Sequence, residues 1–467
     1  MLKSGGLWAL VLGFGVLHLG AAWLLPLSED EAYYTLWASV PSVGYYDHPP
    51  MIAWWIWLGQ WLTQGAFWGV RLLPVLASAL ITLLTWRMAW VISKDRGIAF
   101  RAALWQSAMV PFAALGFAAT PDAPSILFWV AAIWAVAEVA NGRSAHWWLL
   151  VGLFAGLGVL SKFTNFFFGL SLVIWLLATR EGRGWLRVWQ VWAGAAVGVL
   201  VLLPFLWWNL RNDWIGFERQ FGRVGSGGNV DLGDFALFWL SVVLLVTPLI
   251  FWLVLRALRS GRVSGYLIWL TAPIVIYLTW HGLRSLAGGQ WIAPIFPVLA
   301  VMAALGMPRG WTMRWAAPVG FALALATFAV AFWPGRALIG GHNPSTQIRG
   351  WDAVIRDIRT VAAENDAVWI ATDAYGLTGQ LTHYLAGYDL PVRSVSEPWR
   401  YLFLPDIPER FCTAVGLFIS RKDFPDGNPY FDHVRKGPDL ARREGPSVLM
   451  RYQTAVVSGL RGCEISN

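Results

Sequence analysis

The sequence predicts an all-α polytopic membrane protein of about eleven transmembrane helices, followed by a small C-terminal α/β domain. Three observations predict it. Of 467 residues, 57% are hydrophobic and only 13% charged, where a soluble domain carries about 25% charged residues. There are 33 tryptophans, a residue that favours the membrane–water interface because its ring is apolar and its N–H stays wet. Apolar runs near the ~20 residues that cross a bilayer recur up to about residue 333, beyond which polarity is ordinary.

The runs lie at roughly 7–25, 67–90, 100–118, 124–140, 147–161, 163–179, 190–208, 236–255, 265–281, 291–306 and 312–333. The first resembles a signal peptide, but it ends in Pro26-Leu27-Ser28-Glu29 without a small-residue cleavage site, so it reads as an uncleaved helix. The fifth and sixth are separated only by a polar break at Ser161-Lys162.

Lys and Arg in the short loops set the orientation. With the N-terminus cytoplasmic, the inner segments hold fourteen cations: Lys3; Arg87, Lys94, Arg96, Arg101; Arg143; Arg180, Arg183, Arg187; Arg256, Arg259, Arg262; Arg309 and Arg314. The outer segments hold five: Lys162, Arg211, Arg219, Arg223 and Arg284. An odd helix number then puts the C-terminal domain outside, on the same side as the first loop. The net charge of +8 is of the kind that cytoplasmic loops produce, and it does not point to nucleic acid.

In the tail, an amphipathic helix is predicted around Ile348–Asn365 and a second helix at Gly376–Ala386. Strand-like runs at Ala367–Ala371 and Thr413–Ser420 alternate with them. The two cysteines, Cys412 and Cys463, both lie in this tail. They read either as one disulfide, if the tail is extracytoplasmic, or as two unpaired thiols.

The candidate chemistry gathers on the outer side. Ser28–Pro50 reads SEDEAYYTLWASVPSVGYYDHPP, with acids, four tyrosines, a Pro-Pro end and no Lys or Arg. Asp30 or Glu31 could serve as a general base or as ligands of a divalent metal; the bland alternative is a solvated acidic loop start. Tyr33 and Tyr46 are candidates to shape a shielded pocket around them. Asp47 and His48 precede prolines that stiffen the chain; His48 could contact a phosphate, or the segment could be a plain turn with Asp47 as a cap. Asp122, in Thr120-Pro121-Asp122-Ala123-Pro124, is either a helix cap or part of the site. Lys162 sits in the break between two apolar runs, where an ionisable residue is a functional hypothesis by default and snorkelling is the alternative. Arg211, Arg219, Arg223 and Arg284 run against the positive-inside bias and suit phosphate recognition. No P-loop, GxGxxG, HExxH or CxxC pattern is present, so nothing points to a nucleotide cofactor.

Taken together, SEDEAYY, GYYDHPP, VRLLPVLAS, ATPDAP and GLGVLSKFT resemble the GT-C class of membrane glycosyltransferases. Within it they are most similar to the dolichyl-phosphate-mannose–protein mannosyltransferase-like superfamily, which includes the rhizobial lipopolysaccharide galacturonosyltransferases and the lipid A aminoarabinose transferase. The resemblance covers about residues 7–225, weakens to 333 and is faint in the tail. It implies a transmembrane catalytic domain at 1–333 and a C-terminal extracytoplasmic domain at 334–467. It implies inverting transfer from a polyprenyl-phosphate-linked sugar to an envelope glycan, lipid or protein, in the bacterial inner membrane, with a metal optional.

Residue by residue, the resemblance makes Asp30 the catalytic aspartate of the first loop, Glu31 its acidic neighbour, and Asp122 the aspartate of the second loop. Lys162 matches a lysine that binds the donor phosphate, and Arg223 a loop arginine near it. Asp47 and His48 match a charged pair that is Glu-Lys in the aminoarabinose transferase. His48 is a departure, since an imidazole is charged over only part of the physiological pH range. Two other function classes compete. A flippase for lipid-linked substrates would place charges near mid-membrane on several helices, which this sequence does not do. A non-catalytic envelope scaffold would tolerate loss of Asp30 and Lys162.

Overall fold

The computed structural model describes residues 5–225, 228–332, 344–422 and 429–463. Two compact units compose it: Met1–Trp23 with Val43–Phe328, and Leu24–Ser42 with Ala329–Asn467. The helices are α1 (Gly5–Leu24), α2 (Glu29–Ser39), α3 (Met51–Leu62), α4 (Leu72–Ser93), α5 (Arg96–Ala108), α6 (Val110–Ala113), α7 (Asp122–Ala140) and α8 (Trp147–Val159). They continue with α9 (Phe166–Ala178), α10 (Arg180–Trp185), α11 (Trp189–Arg211), α12 (Ile215–Gly225), α13 (Leu232–Val246), α14 (Pro248–Arg259), α15 (Gly265–Gly282), α16 (Phe296–Leu305) and α17 (Trp311–Phe332).

Each predicted apolar run carries helix. By length and composition, five helices among the described residues can cross a membrane: Gly5–Leu24, Phe67–Ser93, Asp122–Ala140, Trp189–Arg211 and Trp311–Val330. The pair α13–α14 makes a sixth if its 97° bend is counted as one span. The bend falls at Thr247, whose φ of 76° leaves the helical region, followed by Pro248, which cannot continue the hydrogen-bond ladder. Three shorter apolar helices accompany them, Trp147–Val159, Phe163–Ala178 and Gly289–Leu305.

The first loop holds more helix than the 20-residue ruler could detect. Residues 51–62 (MIAWWIWLGQWL) form α3, whose Trp57, Trp61 and Leu62 are exposed. Twelve residues span only about 18 Å, so α3 is too short to cross a bilayer of about 30 Å.

The core of this unit runs along α4, α5, α7 and α16, with Trp105, Trp129, Val136, Phe296 and Met302 fully enclosed. One acid lies inside it. Glu138, only 1% exposed, accepts from Arg87 Nε at 3.0 Å and Trp134 Nε1 at 3.1 Å and pairs with Arg143 at 3.5 Å. A buried carboxylate needs this many partners to offset its lost hydration, and they tie α4 to α7. Gly152 and Gly156 of α8 face Gly194 and Gly198 of α11: a Cβ on Gly152 would strike Gly194 O, and one on Gly194 would strike Trp148 O. Small residues four apart on both helices bring the backbones together, as membrane helices do when hydrophobicity cannot drive association.

The second unit combines α2 with the C-terminal residues. Its elements are α18 (Trp351–Glu364), β1 (Trp369–Thr372), α19 (Tyr375–Tyr384), β2 (Val392–Ser394), α20 (Arg410–Thr413), β3 (Gly416–Ser420), β4 (Phe431–Lys436), β5 (Leu440–Glu444) and β6 (Ser447–Leu460). The sheet order is β2-β1-β3-β6-β4, with β5 also on β6. β1, β2 and β3 are parallel, while β6 is antiparallel to β3, β4 and β5. β1 and β3 are buried throughout, as a parallel sheet covered on both faces requires. Val354, Ile358 and Val361 turn one face of α18 inward against this sheet. Cys412 and Cys463 are joined in a disulfide across 51 residues of sequence.

Replacing Gly194 by leucine should force α8 and α11 apart and cost about 1–3 kcal/mol. The purified full chain should melt several degrees lower, while Gly184→Leu, at a glycine with open space around it, leaves the melting temperature unchanged. Equal melting of both variants would remove the packing role of the glycine pairs.

Candidate active site

The candidate residues fall in both units. In the second unit, Ser28 starts α2 with a capping box: Ser28 Oγ accepts from Glu31 N at 3.3 Å, and Glu31 Oε2 accepts from Ser28 N at 2.9 Å. Glu29, Asp30 and Glu31 fill the first turn, where the helix dipole favours negative charge. The helix then sorts the three acids by direction, because successive residues differ by about 100° around the axis. Glu31 is buried, at 3% exposure, and its carboxylate closes the cap. Glu29 receives a bidentate ion pair from Arg421, with Nη1 to Oε2 at 3.0 Å and Nη2 on Oε1. Burial works against the Arg421 cation, but the Glu29 carboxylate outweighs it and holds the guanidinium pKa above its ordinary value. Asp30 is the exposed one of the three, and its Oδ1 accepts from Tyr375 Oη at 3.1 Å.

Tyr33 supports this end of α2. Its ring is buried, 5.0 Å from Tyr375 and 5.1 Å from Trp37, and its hydroxyl donates to Arg400 O at 3.4 Å. The guanidinium of Arg400 lies 5.1 Å over the Tyr375 ring, and Arg400 Nε pairs with Glu397 at 2.7 Å. α2 lies against α19, where the missing side chain of Gly379 lets the Tyr33 backbone approach and Gln380 Nε2 donates to Leu27 O at 2.8 Å.

In the first unit, Lys162 stands in the break between α8 and α9, with an extended backbone just before a 3-10 turn at Phe163–Asn165. Its Nζ is 2.7 Å from Oδ1 of Asp122, at the first turn of α7, and the two side chains are 12% and 28% exposed. Asn165 repeats the same link one turn on: it accepts from Ser125 Oγ at 2.6 Å and donates to Ser125 O at 3.1 Å. The break also touches the start of α3, since Met51 N donates to Leu160 O at 3.0 Å. That contact sets Asp47-His48-Pro49-Pro50 beside the break.

Residues 44–48 are covered by the end of α11 and by α12. Gly44 has no room for a Cβ against the Trp208 ring. Gln220 Nε2 donates to Asp47 O at 2.6 Å, Arg219 Nε is 3.9 Å from Asp47 Oδ1, and the Arg219 guanidinium lies 5.5 Å over the Tyr46 ring. His48 is half-buried. The apolar face of α12 explains this seating: Phe217 and Phe221 stack on each other and pack against Phe163 and Phe166 at the break. Arg223 lies in α12, but its side chain falls outside the described residues.

The structure thus unites Asp47, His48, Tyr46, Asp122 and Lys162 in one unit and Asp30, Glu31 and Tyr33 in the other. Sequence reasoning passed over Glu29, Asn165, Ser125, Tyr375, Arg400 and Arg421, whose contacts are long-range; Asn165 carried a signal, as a polar residue beside Lys162 between apolar runs. Lys162 spends one of its three N–H donors on Asp122 and keeps an ammonium beside a stiffened turn, a suitable arrangement for binding an anion. Among the described residues no three His, Cys, Asp or Glu side chains converge as a metal site. Glu31 uses one carboxylate oxygen, Oε2, in its cap.

The family model for dolichyl-phosphate-mannose-protein mannosyltransferase matches residues 47–208, which include Asp47, His48, Asp122 and Lys162. The lipid A galacturonosyltransferase RgtD of Rhizobium johnstonii is 27% identical over 385 residues, covering 78% of this chain and 79% of that protein. The undecaprenyl phosphate-alpha-4-amino-4-deoxy-L-arabinose arabinosyl transferase 2 of Pseudomonas fluorescens is 26% identical over 343 residues. That match covers 64% of this chain and 59% of the relative. Among solved structures, ArnT from Cupriavidus metallidurans bound to undecaprenyl phosphate superposes with a TM-score of 0.67 at 15% identity, covering 100% of both chains. At that identity the likeness establishes a common fold.

The Glu29–Arg421 pair generates a stability prediction. Hydrogen bonds to charged groups contribute about 1.5–3 kcal/mol, so Glu29→Gln and Arg421→Met should each lower the melting temperature by several degrees. The double variant should lose less than the sum of the two, because the partners share one interaction. Strict additivity in thermal melts would mean that the pair does not couple α2 to the C-terminal strands.

Proposed function

As a member of the GT-C class of membrane glycosyltransferases, in the dolichyl-phosphate-mannose–protein mannosyltransferase-like superfamily, the chain is a transferase, and we propose that it moves a sugar from a polyprenyl-phosphate donor to lipid A or a related envelope acceptor. The observation that carries the reading is the Asp122–Lys162 pair at 2.7 Å in the break between α8 and α9, within the segment that the family model matches. A lysine ammonium held in place by a carboxylate at low exposure is a preorganised donor of the kind that a leaving phosphate requires.

In the proposed mechanism Asp30 takes the proton of the acceptor hydroxyl. The hydroxyl oxygen attacks the anomeric carbon from the face opposite the phosphate, and the bond from that carbon to the phosphate oxygen breaks. Configuration at the carbon inverts, and the lipid phosphate departs with the electron pair. Lys162 stabilises the growing negative charge, with His48 and the arginines of α12, Arg219 and Arg223, as further cations. Asp122 orients Lys162. Asp47 anchors α12 over the Tyr45–His48 turn through its carbonyl and carboxylate. Tyr33 and Tyr375 set the position of Asp30. No step needs a nucleotide or a metal.

We further propose eleven membrane crossings with the N-terminus cytoplasmic, a catalytic domain at 1–333, and an extracytoplasmic domain at 334–467 in a bacterial inner membrane. The fourteen-to-five asymmetry of loop cations supports that orientation. The short apolar helices Trp147–Val159, Phe163–Ala178 and Gly289–Leu305 would cross within the shelter of their neighbours.

The test is transfer of radiolabelled sugar from polyprenyl-phosphate donors to lipid A in membranes matched for protein content. Lys162→Ala should reduce the rate about 10²–10³-fold, the usual effect of removing a donor to a developing charge. Asp30→Asn should reduce it about 10²–10⁴-fold through loss of the base. Wild-type rates in the Asp30 variant would dismiss its role, and no transfer by the wild type from any donor would favour a flippase or a scaffold.

A further inference from the structure

Among the described residues, a ligand-sized hollow lies between α5 and α17, lined by none of the candidate site residues. The two helices touch at one level: a Cβ on Gly320 would strike Ala108 O. Toward their N-terminal ends they part, leaving an open groove of about 630 Å³. Leu104, Met313, Ala317 and Phe321 line its apolar walls, with Arg101 and Arg314 at the mouth. Arg101 Nη1 makes its contact with Met313 Sδ at 3.3 Å, a weak acceptor for a guanidinium. Arg314 is exposed. Among the described residues no acid forms an ion pair with either. The acid nearest in sequence, Asp95, is spent on capping α5 through Gly97 N and Ile98 N.

Trp311 and Trp315 stand exposed on the same turn of α17. Tryptophans on a lipid-facing turn mark the headgroup level, so the arginines lie at the depth of lipid phosphates and the apolar walls run from there toward the hydrocarbon. A groove with cations at the headgroup level and aliphatic walls beneath fits a molecule with an anionic head and an acyl chain. We infer that the groove between α5 and α17 is a binding site for an anionic glycerophospholipid, with its phosphate on Arg101 and Arg314 and one acyl chain along Leu104, Ala317 and Phe321. The charge complementarity excludes a zwitterionic lipid as the favoured occupant, since its ammonium would face the same two guanidinium groups. The inference does not depend on the sugar-transfer reading.

The full-length protein, purified in detergent, is titrated with phosphatidylglycerol or phosphatidylcholine, and retained lipid is counted by native mass spectrometry. Phosphatidylglycerol should be retained in preference, and the double variant Arg101→Gln/Arg314→Gln should bind it roughly 25-fold more weakly, at about fivefold for each arginine. Leu104→Trp, which fills the groove and leaves both arginines, should lose the lipid as well. Both variants should keep the wild-type melting temperature without lipid; if the double variant does not fold, Arg314→Gln alone, at an exposed position, should show the fivefold loss. Equal retention of the two lipids, or unchanged retention by the arginine variants, would overturn the inference. Undiminished binding by Leu104→Trp would overturn the acyl-chain assignment, and displacement by millimolar inorganic phosphate would show that the arginines read phosphate alone.

Discussion

A helix cannot be interrupted in a membrane protein unless the groups it releases find partners nearby. Between α8 and α9 this constraint organises a large part of the first unit. Ser161 Oγ turns back to Leu157 O, Lys162 N reaches Gly158 O, and Leu160 O is taken by Met51 N. Asn165 bonds Ser125 twice, and the Lys162 ammonium gives one of its donors to Asp122. The longer-range bonds also fix neighbours, the start of α3 and the first turn of α7, while Phe163 and Phe166 seat the apolar face of α12. The polar interruption that a bilayer makes costly is therefore the point at which α3, α7, α8, α9 and α12 and the Asp47–Pro50 turn are joined. The pairing is specific because removing either partner would leave a poorly hydrated charge behind.

The second unit solves a different problem. A short helix of eleven residues, α2, is only marginally stable alone. Its capping box, its acidic first turn and the apolar face Ala32, Tyr33, Leu36 and Trp37 supply part of the stabilisation. The remainder comes from residues more than 340 positions away, in α19 and at the end of β3: Gln380, Tyr375 and Arg421. The consequence for chemistry is a division of labour among three adjacent acids. Glu29 is an anchor, Glu31 is a cap, and Asp30 is turned outward with Tyr375 on one oxygen.

Much of this was legible in the residues. Apolar runs mark the helices because a bilayer demands apolar length, and all the predicted runs carry helix. The tail helices and the strands β1 and β3 follow from period 3.6 and from short β-branched runs. Lys162 was singled out as a charge where charge is expensive and Asp122 as a helix cap or a site residue, and the fold brings them into contact. The helices α3 and α12 were not legible, because both are shorter than a span and α12 hides an aromatic stripe inside a charged segment. Strands β2, β4, β5 and β6 were missed as well; β4 is polar along most of its length, and its place on the sheet is given by its partner β6.

By itself the sequence determined that the chain is built for a membrane, that its tail is of ordinary polarity, and that its unusual charges gather in a few loops. These are properties of composition and period, which local physics reads directly. Only the tertiary structure decided which of Glu29, Asp30 and Glu31 is exposed and which are held in a cap or an ion pair. It alone decided that Arg219 rests on Tyr46 beside Asp47, and that Cys412 and Cys463 are bonded. The physical reason is the same in each case. The state of a charged or reactive side chain is set by the partner that reaches it through space, and here those partners lie from dozens to nearly four hundred residues away.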